Sequence, residues 1–318
     1  MNIKKVGLTA LAASLVSVSA HAGEMSVAGS ASIGLKNTSK TASGKSWTMG
    51  NQLTFTGSGE LDNGMNVALS FVLDQADDST TGIANAPFDS HSVTVSSDAL
   101  GKLVFSGEGG SSAQSTLDTT AAGDAWNNGL SITGPRSSES GNNSMLYTLP
   151  ALVDGLSVQA GYSPGGAGGG SAISYGATYT GVEGLSVSYG MGETETIGSE
   201  QEHTTMKASY AYSSFTLSYS VNENNFNTDA DGTDEEMVSW NVAYSITDDI
   251  SVAYGIEELS TEDASVDEEV SKINVSYTSG GMTISASQFE ASGVGNSTTE
   301  TAVTGDKERW SLSASFAF

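Results

Sequence analysis

The sequence predicts an all-β fold: a sixteen-stranded antiparallel transmembrane β-barrel with short periplasmic turns, long outer loops and a long third loop folded into the lumen. Three observations predict it. After the first two dozen residues, apolar and polar residues alternate in short runs separated by turns, the period of a strand with two unlike faces. Basic residues within those runs keep to the polar phase. The chain has 38 glycines, 4 prolines and no cysteine, which suits strands and tight turns closed by hydrogen bonds without disulfides.

Met1–Ala22 reads as a secretory signal, with Lys4 and Lys5, the apolar run Val6–Val18, and the small-x-small pattern Ala20-His21-Ala22. Residues 23–318 then form the barrel. No later stretch approaches the ~18 consecutive apolar residues of a spanning helix.

The first strand is marked by Met25, Val27, Ala31, Ile33 and Leu35, and the second runs from Trp47 through Leu53 and Phe55. Asp62-Asn63-Gly64 is a hairpin signal, because Asn-Gly accepts the positive φ of a tight turn. Met65, Val67, Leu69, Phe71 and Leu73 make the third strand; His91–Ser97 and Lys102–Gly107 make the fourth and fifth.

The rhythm breaks at about 108–141. That segment holds neither strand nor helix period, yet carries Trp126, Leu130 and Ile132. A loop of this length inside a compact domain is functional or a misassignment, and it reads here as the loop that narrows the lumen.

Asn142–Leu149 and Leu156–Tyr162 follow as strands six and seven. Strands eight and nine flank Gly181–Gly184, ten and eleven meet at Ser213-Ser214, twelve and thirteen at Thr247-Asp248-Asp249, and fourteen and fifteen at Ser279-Gly280-Gly281. Trp310, Leu312, Ala314, Phe316 and Phe318 end the chain. Short and long connections alternate, as in a barrel with turns at one rim and loops at the other.

Hydrocarbon offers no partner to unpaired backbone groups, so a spanning sheet must close. The last strand's inner set, Ser311, Ser313 and Ser315, implies a wet lumen. Lys36, Lys102, Lys207, Lys272 and Arg309 all fall on the inward phase, where they avoid the roughly 2–4 kcal/mol cost of facing lipid at mid-depth. All eleven tyrosines lie at or after Tyr147, mostly at outward positions suited to an aromatic girdle. Strands one to five lack that girdle and carry Gly29, Ala31 and Gly107 instead, so this face is expected to meet other copies of the chain.

Eleven basic residues stand against 37 acidic, a formal −26, which excludes nucleic acid and favours cations. Gly44-Lys45-Ser46 resembles the end of a phosphate loop, but Ser39 occupies its first glycine position. The mature part holds two histidines, His91 (read as inward) and His203, too few and too scattered for a catalytic set, so no enzyme is expected. Asn227–Gly232 matches the opening of a calcium loop, but Val238 stands where a bidentate glutamate is needed. No cofactor or metal is expected beyond weak divalent cation binding by the outer-loop acidic clusters, Asp234-Glu235-Glu236 and Asp267-Glu268-Glu269, which also suit divalent bridges to lipopolysaccharide.

Arg136, then Asn142-Asn143-Ser144-Met145-Leu146-Tyr147-Thr148-Leu149-Pro150, then Asp154-Gly155-Leu156-Ser157, resembles the strand after the constriction loop of Gram-negative general porins. Phe318 is similar to the C-terminal aromatic that the barrel-assembly machinery reads. The layout resembles the sixteen-stranded trimeric porins of alphaproteobacterial type. This resemblance implies a homotrimer of water-filled pores in the outer membrane. It also implies an eyelet with loop acids facing wall bases: Glu108, Asp118, Asp124 and Glu139 against Lys36, Lys102, Lys207, Lys272 and Arg309, with Arg136 at the loop's end. The basic residues are spread round the wall, which departs from a compact cluster.

The expected function is passive diffusion of small hydrophilic solutes and ions, with cation preference. The alternatives are a substrate-specific channel with a track of Trp126 and lumenal tyrosines, and a non-conducting adhesin or structural barrel.

Overall fold

The structure, a computed structural model, describes residues 23–38, 44–74, 88–138, 142–165, 170–196, 199–227, 234–262, 264, 266–294 and 306–318. The signal segment 1–22, Glu139 and most of the calcium-loop match lie outside them.

Alternation produces strands throughout. In chain order they are β1 Glu24–Thr38, β2 Gly44–Glu60, β3 Asn66–Asp74, β4 Phe88–Ser97, β5 Gly101–Glu108, β6 Ser144–Thr148, β7 Leu156–Ser163, β8 Ala172–Tyr179, β9 Leu185–Thr196, β10 Ser199–Tyr212, β11 Phe215–Phe226, β12 Glu235–Ser245, β13 Ile250–Thr261, β14 Glu268–Ser279, β15 Met282–Ser292 and β16 Lys307–Ala317. Each pairs antiparallel with the next, and β1 pairs with β16, so the sheet is a closed barrel without an edge. The seam runs from Ser30↔Ala317 to Thr38↔Arg309. Phe318 extends it: its N–H and C=O both bond Gly29, and its ring covers the space a Gly29 side chain would need.

The register separates two unlike faces. Met25, Val27, Ile33, Leu69, Leu217, Ile273 and Leu312 point outward and stay exposed on the isolated chain, as a lipid-facing band requires. Cross-strand rings stiffen this band, with Phe55 stacked on Phe71 at 4.9 Å and Trp240 edge-on to Tyr254 at 5.6 Å. All eleven tyrosines fall on the outward phase. None lines the lumen, which removes the tyrosine track expected of a substrate-specific channel.

The short turns follow local chemistry. Gly64 takes φ 80°, the Leu61 carbonyl accepts its N–H, and the Asn63 side chain accepts the Met65 N–H. In the two-residue turn between β10 and β11, Ser213 is held at φ 53°, where a side chain is strained.

His91, expected inward, stands on the outward face beside Phe71 and Gly107. The cause is strand parity: His91 shares the phase of Val93 and Val95, and the three pair with outward Phe71, Leu69 and Val67.

Candidate functional site

Residues 109–138 leave the wall at the end of β5 and lie inside the barrel, against β7 to β16. Their bed is prepared by missing side chains. A Cβ on Gly176 would sit 2.6 Å from the Ala113 carbonyl oxygen, one on Gly161 2.9 Å from the Ala113 nitrogen, and one on Gly190 3.2 Å from Gln114 Cα. These glycines occupy inward positions on three consecutive strands, so the loop's first limb sinks onto bare backbone. Hydrogen bonds then fix it. The Ala113 N–H donates to Ser174 Oγ (2.8 Å), and buried Gln114 donates to Thr205 Oγ1 (2.9 Å) while its carbonyl accepts the Ser138 N–H (2.8 Å).

The tip follows one row of cross-strand partners: Lys207, Ser220, Ser239, Glu257, Val270, Ala291 and Lys307. Along that row each wall group meets the loop in kind. Lys207 Nζ donates to the Thr119 carbonyl (2.6 Å), Ser220 accepts from Ala121 N–H (2.8 Å), and Ser239 accepts from Ala122 N–H (2.9 Å). Glu257, 1 % exposed, accepts from Ala125 N–H (2.8 Å), Trp126 N–H (2.6 Å) and the Thr120 hydroxyl. Lys307 donates to the Leu130 carbonyl at 2.8 Å. A second carboxylate, Glu268, takes the Thr133 N–H at 2.7 Å. A buried carboxylate needs several donors, and successive backbone N–H groups supply them here.

Between these polar clamps lies a dry patch. Leu130, Val270 and Val294 are fully buried, packed with Ala122, Ala125, Ile132, Phe289 and Ala291, with Trp126 alongside. The inner faces of β14 and β15 are therefore apolar where the loop covers them. Elsewhere the inner wall carries serine and threonine.

The expected site residues separate into groups. Asp118 and Asp124 lie on the loop, within electrostatic range of Lys207 below them. Burial pushes the Asp118 carboxyl up from its ordinary range, against the hydrogen bond it accepts from the Ser137 hydroxyl. Asp124 also closes a local turn, accepting from Thr120 N–H at 3.0 Å. Lys272 reaches the Ala122 carbonyl at 3.4 Å, and Arg309 shares the Phe289 ring with it at 6.0 and 5.8 Å. Lys207, Lys272 and Arg309 thus gather beneath the loop with its acids. Lys36 on β1, Lys102 on β5 and Glu108 at the end of β5 are not among them.

Arg136 leaves the eyelet altogether, pairing with Glu235 at 2.9 Å and lying over Phe226. The two acidic triplets, expected as solvated outer-loop clusters, are divided by strand alternation because β12 and β14 begin earlier than the apolar pattern implied. Glu235 and Glu268 turn inward to the loop, while Glu236 and Glu269 turn outward. Asp234 accepts from Phe226 N–H and ends the neighbouring strand. Among the described residues, no group of three or more His, Asp or Glu is placed to hold a metal ion.

Glu257 and Lys307, which hold the tip, are missing from the residues the sequence singled out. Their one signal was an ionisable residue on the inward phase of a strand. The glycines under the first limb had no signal at all without the strand register.

A family model described as Gram-negative porin matches residues 7–283. No curated protein matches the chain in sequence. The fold is similar to several solved structures. A loop L8 deletion mutant of OmpT from Vibrio cholerae has a TM-score of 0.73 at 13% identity, covering 93% of this chain and 100% of its own. The anion-selective porin of Comamonas acidovorans gives 0.69 at 15%, with the same coverages of 93% and 100%. OmpT of Vibrio cholerae in a trimer form gives 0.69 at 12%, again 93% and 100%.

Proposed function

The chain belongs to the Gram-negative porin family, as a diffusion porin of the outer membrane, and we propose that its pore prefers cations, is narrowed by residues 108–141, and works as a homotrimer. Family and fold point to a channel rather than an enzyme.

The loop's course carries the constriction reading. Clamped by Glu257, Glu268 and Lys307, residues 109–138 occupy lumen space that the wall alone would leave to water. A solute must pass between it and the uncovered wall.

The sign of the preference comes from this chain's own charges, since a similar porin is named as anion-selective. The formal charge is −26. Outward glutamates face one another across the outer ends of four hairpins: Glu193↔Glu202, Glu195↔Glu200, Glu223↔Glu236, Glu258↔Glu269 and Glu290↔Glu308. Like charges directly opposite are destabilising unless cations collect between them. The collar supports a rim set among lipopolysaccharide phosphates bridged by divalent ions, with a raised cation concentration at the mouth. The zero-current potential in a salt gradient tests this. The cation-permeable sign is expected, and an anion-permeable sign overturns it.

The trimer reading rests on the outward face of β1 to β5, which carries Gly29, Ala31 and Gly107 and no tyrosine, and a similar porin is known in a trimer form. Chemical crosslinking in the membrane should stop at three copies. Phe318, clipped to Gly29 at the barrel's seam, suits a signal read by the assembly machinery.

A further inference from the structure

The lumen's charges and its open surface lie on different parts of the barrel. Beneath the loop, charges are engaged: Lys207 and Lys307 in loop carbonyls, Glu257 and Glu268 in loop amides, Arg136 in Glu235. They act as fasteners, each held by backbone groups of the loop or, for Arg136, by an opposite charge.

The loop's bed runs from β7 to β16. The inner face of β1, β2 and the later part of β16 holds a different chemistry: Ser30, Ser32, Thr48, Thr54, Ser311 and Ser313, all on the inward phase of the register. Charges on the wall from β1 to β5 stand at strand ends, with Lys36 near the end of β1, Asp74 ending β3, Lys102 opening β5 and Glu108 closing it. Where β3 to β5 meet the loop, a cavity of about 250 Å³ is lined by Ser70, Ser92, Ser106 and Thr116 together with His91, Val104 and Leu146, with Glu108 its one carboxylate. It is polar and roomy enough to hold several waters.

We propose that this uncovered wall is an electroneutral, hydroxyl-lined filter for uncharged polyhydroxylated solutes, and that ion preference arises at the outer rim rather than in the constriction. The inference rests on the diffusion-pore reading above. Hydroxyls both donate and accept, so a sugar or polyol replaces its water bonds one for one along such a wall. Along the mid-strand stretch an ion sheds hydration with no fixed charge beside it, the charges of this wall standing at strand ends.

Salt separates the two seats of selectivity. At 1 M the Debye length is about 3 Å, so rim charges no longer reach a passing ion, whereas a charge lining the filter still touches it. In planar bilayers holding purified protein, the cation-to-anion permeability ratio should be several-fold above unity near 0.05 M salt. At 1 M it should fall to the ratio of the free mobilities. Thr48→Glu, an exposed lumenal position, should keep the ratio several-fold above unity at 1 M. In proteoliposomes at 1 M salt, labelled hexitol should enter several-fold faster than an amino sugar of equal size.

A wild-type ratio that survives 1 M salt overturns the neutral filter, as does an amino sugar that matches the hexitol. Absence of any conductance or solute entry refutes the pore itself, a different failure from either of these.

Discussion

Replacing Glu257 by alanine should release the tip of the lumenal loop while leaving the barrel closed. The carboxylate is buried and accepts two consecutive backbone N–H groups and one hydroxyl. Hydrogen bonds to a charged group contribute about 1.5–3 kcal/mol each. Taking the low end, because water reaches the loop once it lifts, the substitution costs docking roughly 3–5 kcal/mol. That shifts the docked-to-lifted ratio by about two to four orders of magnitude. Lys272, which lies in the field of Glu257, loses a compensating charge at the same time. The ladders to Ser239 and Val270 use backbone groups and survive, so the barrel's heat resistance should change little. Single-channel recording is the assay: the variant should show larger open conductance and rapid fluctuations absent from wild type. Glu257→Gln, which keeps an acceptor but not the charge, should fall between. Wild-type conductance with quiet open levels in the alanine variant would refute the clamp.

Gly176→Ala places a Cβ 2.6 Å from the Ala113 carbonyl oxygen. It should shift the loop's first limb at a cost of about 1–3 kcal/mol, read as altered conductance with unchanged strand content by circular dichroism. Asp118 should weaken docking as pH rises. Its carboxyl is raised by burial, so its contribution is full below the unfolded value and lost as pH climbs through the folded one. Open-channel noise should therefore be lower at acidic than at neutral pH, and Asp118→Asn should remove that difference. Ser213→Gly relieves a left-handed φ of 53° and should stabilise the β10–β11 turn by roughly 1 kcal/mol, seen as slower unfolding in denaturant.

The strands were legible because a lipid-facing barrel leaves each strand with one apolar face, and a period of two survives in the sequence. Val67, Leu69, Phe71 and Leu73 needed no partner to be read. Parity also placed the five inward cations. What parity could not show is what each cation meets. Lys207 beside Asp118, or Glu257 beneath Ala125, depends on which strands neighbour one another around the ring. Glu235 and Glu268 were read as loop acids because apolar alternation stops before the strands do: beyond the hydrocarbon band the sheet continues with charged residues on both faces. His91 shares the phase of outward Val93 and Val95, so the alternation that marks the strand already points it away from the lumen. The glycines under the first limb lie far apart in sequence and become one surface only when β7, β8 and β9 are side by side.

Bilayer recording of the purified wild-type protein tests the central claim most directly. A water-filled barrel partly closed by a fixed lumenal loop should insert as discrete, stable ohmic steps whose conductance scales with bath conductivity at high salt. Silence in the bilayer from correctly folded protein, or conductance that saturates with salt as in a dry, site-limited path, would contradict it.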